Sequence, residues 1–201
     1  ALASHPGFDP NRLDQEWDRL IKDPHTPLLD RAVQGQYQPG GALAPFLLVA
    51  ASRTGLPPLP AQTSFPLKGT ALDCAFYPVL QNGGAMVSNG CPGAAVALGN
   101  SLPGGQETML DLFSNLGLYS PPAIRLPADS SARPNSLPDL DLAAAGQADL
   151  RVSPLQMARA AAVLSSDGVL PAPKLAVMVN TPQSGWVSLP GQEESGQVFA
   201  P

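Results

Sequence analysis

The sequence predicts an α+β chain rich in helix and poor in sheet, because five segments carry helical signals and only one reads clearly as a strand. The first helix opens at Asp9-Pro10, with Asp as N-cap and Pro at the first helical position, where its missing N–H bonds nothing anyway. Leu13, Trp17, Leu20 and Ile21 follow at helical spacing, predict one packed face, and end at Asp23-Pro24. The second helix covers residues 41–51 and is apolar on every side, which places it in a domain interior. Pro45 fits there only if it stands in the first turn. A small-residue helix is expected around residues 94–98. Gln106 to Leu116 forms the next, with Met109, Leu110, Phe113 and Leu116 on one face and Gly117 as its stop. Ser153-Pro154-Leu155-Gln156 reads as a capping box that starts an Ala-rich helix ending at Ser166-Asp167-Gly168. Leu175 to Val179 is the strand. Residues 27–40, the Pro-rich 54–70 and 119–149 read as loops, and Asn82-Gly83-Gly84 and Asn89-Gly90 as turns.

Composition narrows the function. The 201 residues suit one domain, 44% are hydrophobic and only 13% charged, so the chain can bury a core. A formal net charge of −5 with no Lys/Arg cluster excludes nucleic acid and anionic membrane surfaces as partners. No apolar run reaches the ~18 residues a spanning helix needs, and there is no membrane segment in this chain. The anchor of an exported parent would lie outside it. Cys74, Cys91, His5 and His25 are the only Cys and His residues, too thin a supply for a zinc site of about four ligands, so neither metal nor cofactor is expected. The residues alone leave the two cysteines open between a disulfide and a pair of buried thiols.

Four segments, in order, resemble the transpeptidase domain of penicillin-binding proteins, a family of the serine acyltransferase and β-lactamase-like superfamily. Residues 2–11, LASHPGFDPN, resemble the stretch where such domains leave their first strands and enter a helix. Residues 30–40, DRAVQGQYQPG, resemble the approach to the family nucleophile, which reads N-R-A-x-x-G-x-Y-x-P-G-S-x-x-K. Leu116-Gly117-Leu118 with Ile124-Arg125-Leu126-Pro127, and then residues 152–158, VSPLQMA, resemble the stretch that follows and the helix behind the site. The resemblance implies the helical lobe of that fold over residues 1–201 as a single domain. That domain is expected to be partial, starting inside a strand at Ala1-Leu2-Ala3 and ending before the strand that carries K-[S/T]-G.

The family's acyl transfer needs a serine nucleophile, a lysine three residues on to take its proton, and a Ser-x-Asn loop; K-[S/T]-G then helps form the oxyanion site. Spacing of three on a helix points Ser and Lys into one cleft. Carried over by position, the serine falls on Gly41, the lysine on Ala44, and the Ser-x-Asn loop on Gly90-Cys91-Pro92. Searching the chain does not rescue the chemistry. Lys22, Lys68 and Lys174 are the only lysines, preceded at three residues by Arg19, Phe65 and Pro171, and no Ser-x-Asn occurs. Truncation could explain the missing K-[S/T]-G, but not Gly41 and Ala44.

The expectation is therefore a pseudo-transpeptidase with no catalytic residues, its degenerate positions being Gly41, Ala44, Gly90 and Pro92. Its role would be a binding or scaffold module of peptidoglycan synthesis, with a wall peptide, a glycan or a cell-wall synthesis protein as partner. The alternatives are part of an active D,D-transpeptidase, which labelled penicillin would acylate, and a purely structural lobe of a larger extracytoplasmic protein. A Ser-His-Asp triad lacks a G-x-S-x-G elbow, and Cys91 as nucleophile would need a histidine partner and a free thiol. Because the family works outside the cytoplasmic membrane, the resemblance implies an extracytoplasmic setting and favours a Cys74–Cys91 disulfide.

Overall fold

The computed structural model describes residues 3–77, 82–190 and 196–200, so Ala1 and Leu2 of the expected opening strand lie outside the described residues. Among these described residues helices dominate, and the sheet is reduced to three separate two-stranded pieces.

Asp9 caps a 3-10 turn at Pro10–Arg12 by accepting the Asn11 N–H, and α1 (Leu13–Leu20) continues from it. Its apolar stripe does not pack as expected: Leu20 is buried, whereas Trp17 and Ile21 are about half exposed. The helix is supported locally instead, by the Asp9 cap and by an Arg12–Glu16 ion pair at 3.0 Å.

The centre of the molecule is α2 (Ala44–Ser52) against α4 (Pro92–Asn100). Pro45 sits in the first turn of α2, the one place it can, and Ala44, Phe46, Leu47 and Ala51 are buried. Seven of the nine α4 residues are buried, because small side chains let neighbours approach. A Cβ on Gly99 would come within 2.6 Å of the Ala144 Cβ and 2.8 Å of the Met109 Cε, so close packing here needs glycine.

α5 (Gln106–Asn115) buries Met109, Leu110, Leu112 and Phe113 and ends in a Schellman closure: Gly117, at φ +73°, donates to Ser114 O, and Leu118 donates to Phe113 O. α7 (Pro154–Val163) has both bonds of the expected capping box. The buried Gln156 amide also donates to the carbonyls of Gly117, Leu118 and Ser120, tying α7 to the end of α5.

Four further expectations change. The Pro-rich connection contains a hairpin, β1 (Ser64–Leu67) paired antiparallel with β2 (Thr70–Asp73), closed by Lys68 and Gly69 at positive φ. Pro66 is tolerated because every strand of a two-stranded sheet is an edge. Asn82-Gly83-Gly84 is not a turn: the Asn82 side chain caps α3 (Gly83–Ser88) by accepting the Ala85 N–H. The stretch 119–149 includes α6 (Leu140–Ala144), capped by Asp139 and packed on α4. Last, the expected strand at 175–179 is shifted to β4 (Met178–Thr181), which pairs with β5 (Gly185–Ser188). Before it in sequence, β3 (Val169–Leu170) pairs with β6 (Gly196–Gln197) beside α7.

Candidate functional site

Two stretches of the resemblance, residues 30–40 and 152–158, meet through a β-bridge, in which Tyr37 and Val152 exchange both N–H···O bonds at 2.9 Å. Leu155 adds a bond to the Ala32 carbonyl at 3.0 Å. This brings the chain to Gly40–Leu43, a 3-10 turn that leads into α2 and carries Gly41, with Ala44 wholly buried behind it.

Gly41 lies against the backbone of Gly90. A Cβ on Gly41 would fall 2.5 Å from the Gly90 carbonyl oxygen, 2.7 Å from its Cα and 2.9 Å from its carbonyl carbon, distances that real Cβ atoms do not reach. Gly90 itself adopts φ +62°, and a Cβ there would press the Ala75 Cβ at 3.2 Å and the Gly41 Cα at 3.4 Å. A third glycine completes the closure. Gly146, at φ +65°, accepts the Gly40 N–H at 3.0 Å, and a Cβ on it would overlap Gly40 N and O at 2.4 Å. Three backbone segments therefore meet where side chains would otherwise stand.

Cys91 is buried at the N-cap of α4, with Pro92 next in its first turn, and is joined to Cys74 by a disulfide. Three backbone bonds hold the segments around it: Cys91 N–H to Met86 O, Cys74 N–H to Thr63 O, and Phe76 N–H to Asn89 O at 3.2 Å. The structure thus gathers Gly41, Ala44, Gly90, Cys91 and Pro92 in one place, and those positions supply no hydroxyl, amine or carboxylate. The polar side chains at this edge are amides. Gln147 lies beside Gly40, and Gln38 donates to the Gln147 carbonyl. The Asn89 amide is engaged by the Ala85 carbonyl at 2.8 Å.

Gly146 and Ala75 were missed in sequence. The signal for Gly146 was its position after Ala143-Ala144-Ala145, the place of a helix-ending glycine, inside a stretch read as loop. The two histidines are both exposed, with His25 Nδ1 3.2 Å from an Asp23 oxygen. Charge gathers at the opposite end of α6. There the exposed Lys68 Nζ meets Asp139 at 2.7 Å, and that bond, with the Leu142 N–H, holds the Asp139 carboxyl below its ordinary range. A cavity of about 800 Å³ opens elsewhere, along the outer face of α7 between Leu155, Ala158, Ala162 and Leu175.

The fold around the glycine closure is a helical lobe with a capped α7 and a buried α2, and comparison with known proteins supplies its family. Residues 96–201 match the penicillin-binding protein transpeptidase domain, and the chain belongs to that family. It is similar to the peptidoglycan D,D-transpeptidase PbpA of Mycolicibacterium smegmatis, 30% identical over 100% of this chain and 45% of that protein. A shorter match, 38% identical over 61 residues, is to the peptidoglycan D,D-transpeptidase MrdA of Escherichia coli. The ceftriaxone acyl-enzyme complex of penicillin-binding protein A from Mycobacterium tuberculosis superposes with a TM-score of 0.80 at 26% identity, over 100% of this chain and 49% of that one. The D,D-transpeptidase domain from Eggerthella lenta, at 18% identity and a TM-score of 0.75, shares the fold. The chain spans about half the length of these full-coverage relatives.

Proposed function

We propose that this chain is a non-catalytic transpeptidase-type module that acts as a binding or scaffold part of peptidoglycan synthesis outside the cytoplasmic membrane. The observation that carries this reading is the contact of Gly41 with the Gly90 backbone, which leaves no room for a side chain where the resemblance puts the nucleophile. Ala44, buried at the position of the proton acceptor, has no amine. Losing such a unit typically costs on the order of 10⁶ in rate. Core packing and catalytic groups are separate sets of residues, so the scaffold can persist without the chemistry. The Cys74–Cys91 disulfide suits an oxidising compartment.

A second reading, part of an active D,D-transpeptidase, is favoured by the 30% identity to the M. smegmatis enzyme across the whole chain. Intact-mass measurement after incubation with benzylpenicillin separates the two. The expected result is an unchanged mass; a stoichiometric gain of one acyl group would overturn the proposal.

A further inference from the structure

Phe76 and Tyr77 are the most exposed large hydrophobic side chains among the described residues, at 72% and 77%. The backbone leading to them is nonetheless held: Cys74 by the disulfide to Cys91 and by its bond to Thr63 O, and Phe76 by its bond to Asn89 O. Ala75 seats this loop on Gly90, directly over the Gly41 closure. A segment anchored at Cys74 and Phe76 that keeps two aromatic rings in water has the arrangement of a contact surface, since large exposed apolar groups mark interaction sites and the anchors reduce the ordering left for binding.

The surroundings select the ligand. No Lys or Arg occurs in sequence between Lys68 and Arg125, and Asp73 is exposed just before the loop, so neither the loop nor the Ser88–Asn89 segment bonded to it carries a cation for a polyanion or a peptide carboxylate. What the surface offers besides rings is neutral and polar. Ser88 is exposed, and Asn89, whose carbonyl accepts the Phe76 N–H, is partly so. Aromatic faces bordered by amides and hydroxyls suit a ligand with apolar C–H faces and a rim of hydroxyl groups. We propose that the Ala75–Tyr77 loop is a stacking platform for the sugar rings of an uncharged glycan chain. The choice of a wall-type sugar as probe rests on the reading of this chain as a cell-wall module.

The test titrates the intact, oxidised chain with β-1,4-linked N-acetylglucosamine tetrasaccharide and follows backbone amide signals. The expected result is saturable shifts centred on residues 74–77 and 88–90, with affinity in the range of about 0.1–1 mM. Phe76→Ala and Tyr77→Ala touch no core residue and are each expected to weaken binding by roughly threefold to tenfold with the fold unchanged. No shift at millimolar sugar, an affinity in both variants equal to that of the parent chain, or preference for heparin over the neutral tetrasaccharide would each overturn the proposal. The outcome is independent of acylation. A chain that takes up penicillin while binding sugar through Phe76 would sink the non-catalytic reading and keep this one.

Discussion

α4 and the β4–β5 hairpin are both free of charged residues and both contain valine, glycine, proline and asparagine, yet they meet opposite fates. α4 runs between α2 and α6 and buries seven of its nine residues. The hairpin keeps nearly every strand residue in water, Trp186 and Val187 included. The difference lies in what each can reach. A helix of small residues brings its backbone against two neighbours and gains burial along its whole length, whereas a lone two-stranded ribbon has only its own ladder and is marginal by itself. The fold therefore stores its stability in the helical interior around the glycine closure and holds its hairpin loosely.

That contrast breaks most easily by equal truncations. Phe113→Ala, in the buried interior, is expected to cost about 3–5 kcal/mol in a urea titration, and Trp186→Ala on the hairpin no more than about 0.5 kcal/mol. Similar losses at both sites would refute the division. Next in size is the disulfide. Reducing Cys74–Cys91 is expected to remove about 3 kcal/mol, because the cross-link restricts the unfolded chain; thiol titration of the denatured, unreduced protein should find no free thiol.

Gln156→Leu is expected to cost about 2 kcal/mol, since it strips hydrogen-bond partners from a buried Ser153 N–H and from the carbonyls of Gly117, Leu118 and Ser120. A neutral result would mean that water replaces the amide and that α7 is less sealed than its burial indicates. The smallest effect belongs to the exposed Lys68–Asp139 pair, which ties the β1–β2 turn to the start of α6. Asp139 titrates below the ordinary carboxylate range when folded, so its stabilisation is present above the unfolded carboxyl value, about 3.9, and fades as pH falls through the folded value. Lys68→Met should flatten the acid limb of the stability curve relative to the parent chain. An unchanged acid limb would show the pair to be idle.

What the sequence made legible was local. The Ser153–Gln156 box, the Gly117 stop and the first-turn placement of Pro45 each depend on a few adjacent residues, and each stands as expected. α6 escaped because five residues form a helix only with help, here the Asp139 cap and the flank of α4. β1–β2 escaped because Pro66 argues against a central strand, and it has no central strand to enter. At α1 the spacing of Trp17 and Ile21 was read correctly as a stripe, but spacing does not say that anything covers it. The site divides in the same way. Gly41 and Ala44 could be placed by position against a motif, and the pairing of the cysteines followed from the family's setting. The meeting of Gly41 with Gly90, and of Gly40 with Gly146, joins residues far apart in sequence through backbone contact, and no local pattern carries it.

That closure is the central claim, and Gly41→Ala tests it most directly, because one methyl group separates two opposite expectations. Gly41 is not among the residues at positive φ, and by conformational entropy alone a Gly-to-Ala change at such a position stabilises by about 0.4–1 kcal/mol. The closure demands the reverse, since the new Cβ would meet the Gly90 carbonyl oxygen at 2.5 Å. Equilibrium urea denaturation of Gly41→Ala beside the exposed control Ala42→Ser should show a loss of about 1–3 kcal/mol for the first and little for the second. A Gly41→Ala chain as stable as its parent, or more so, would contradict the account and reopen the place of the nucleophile.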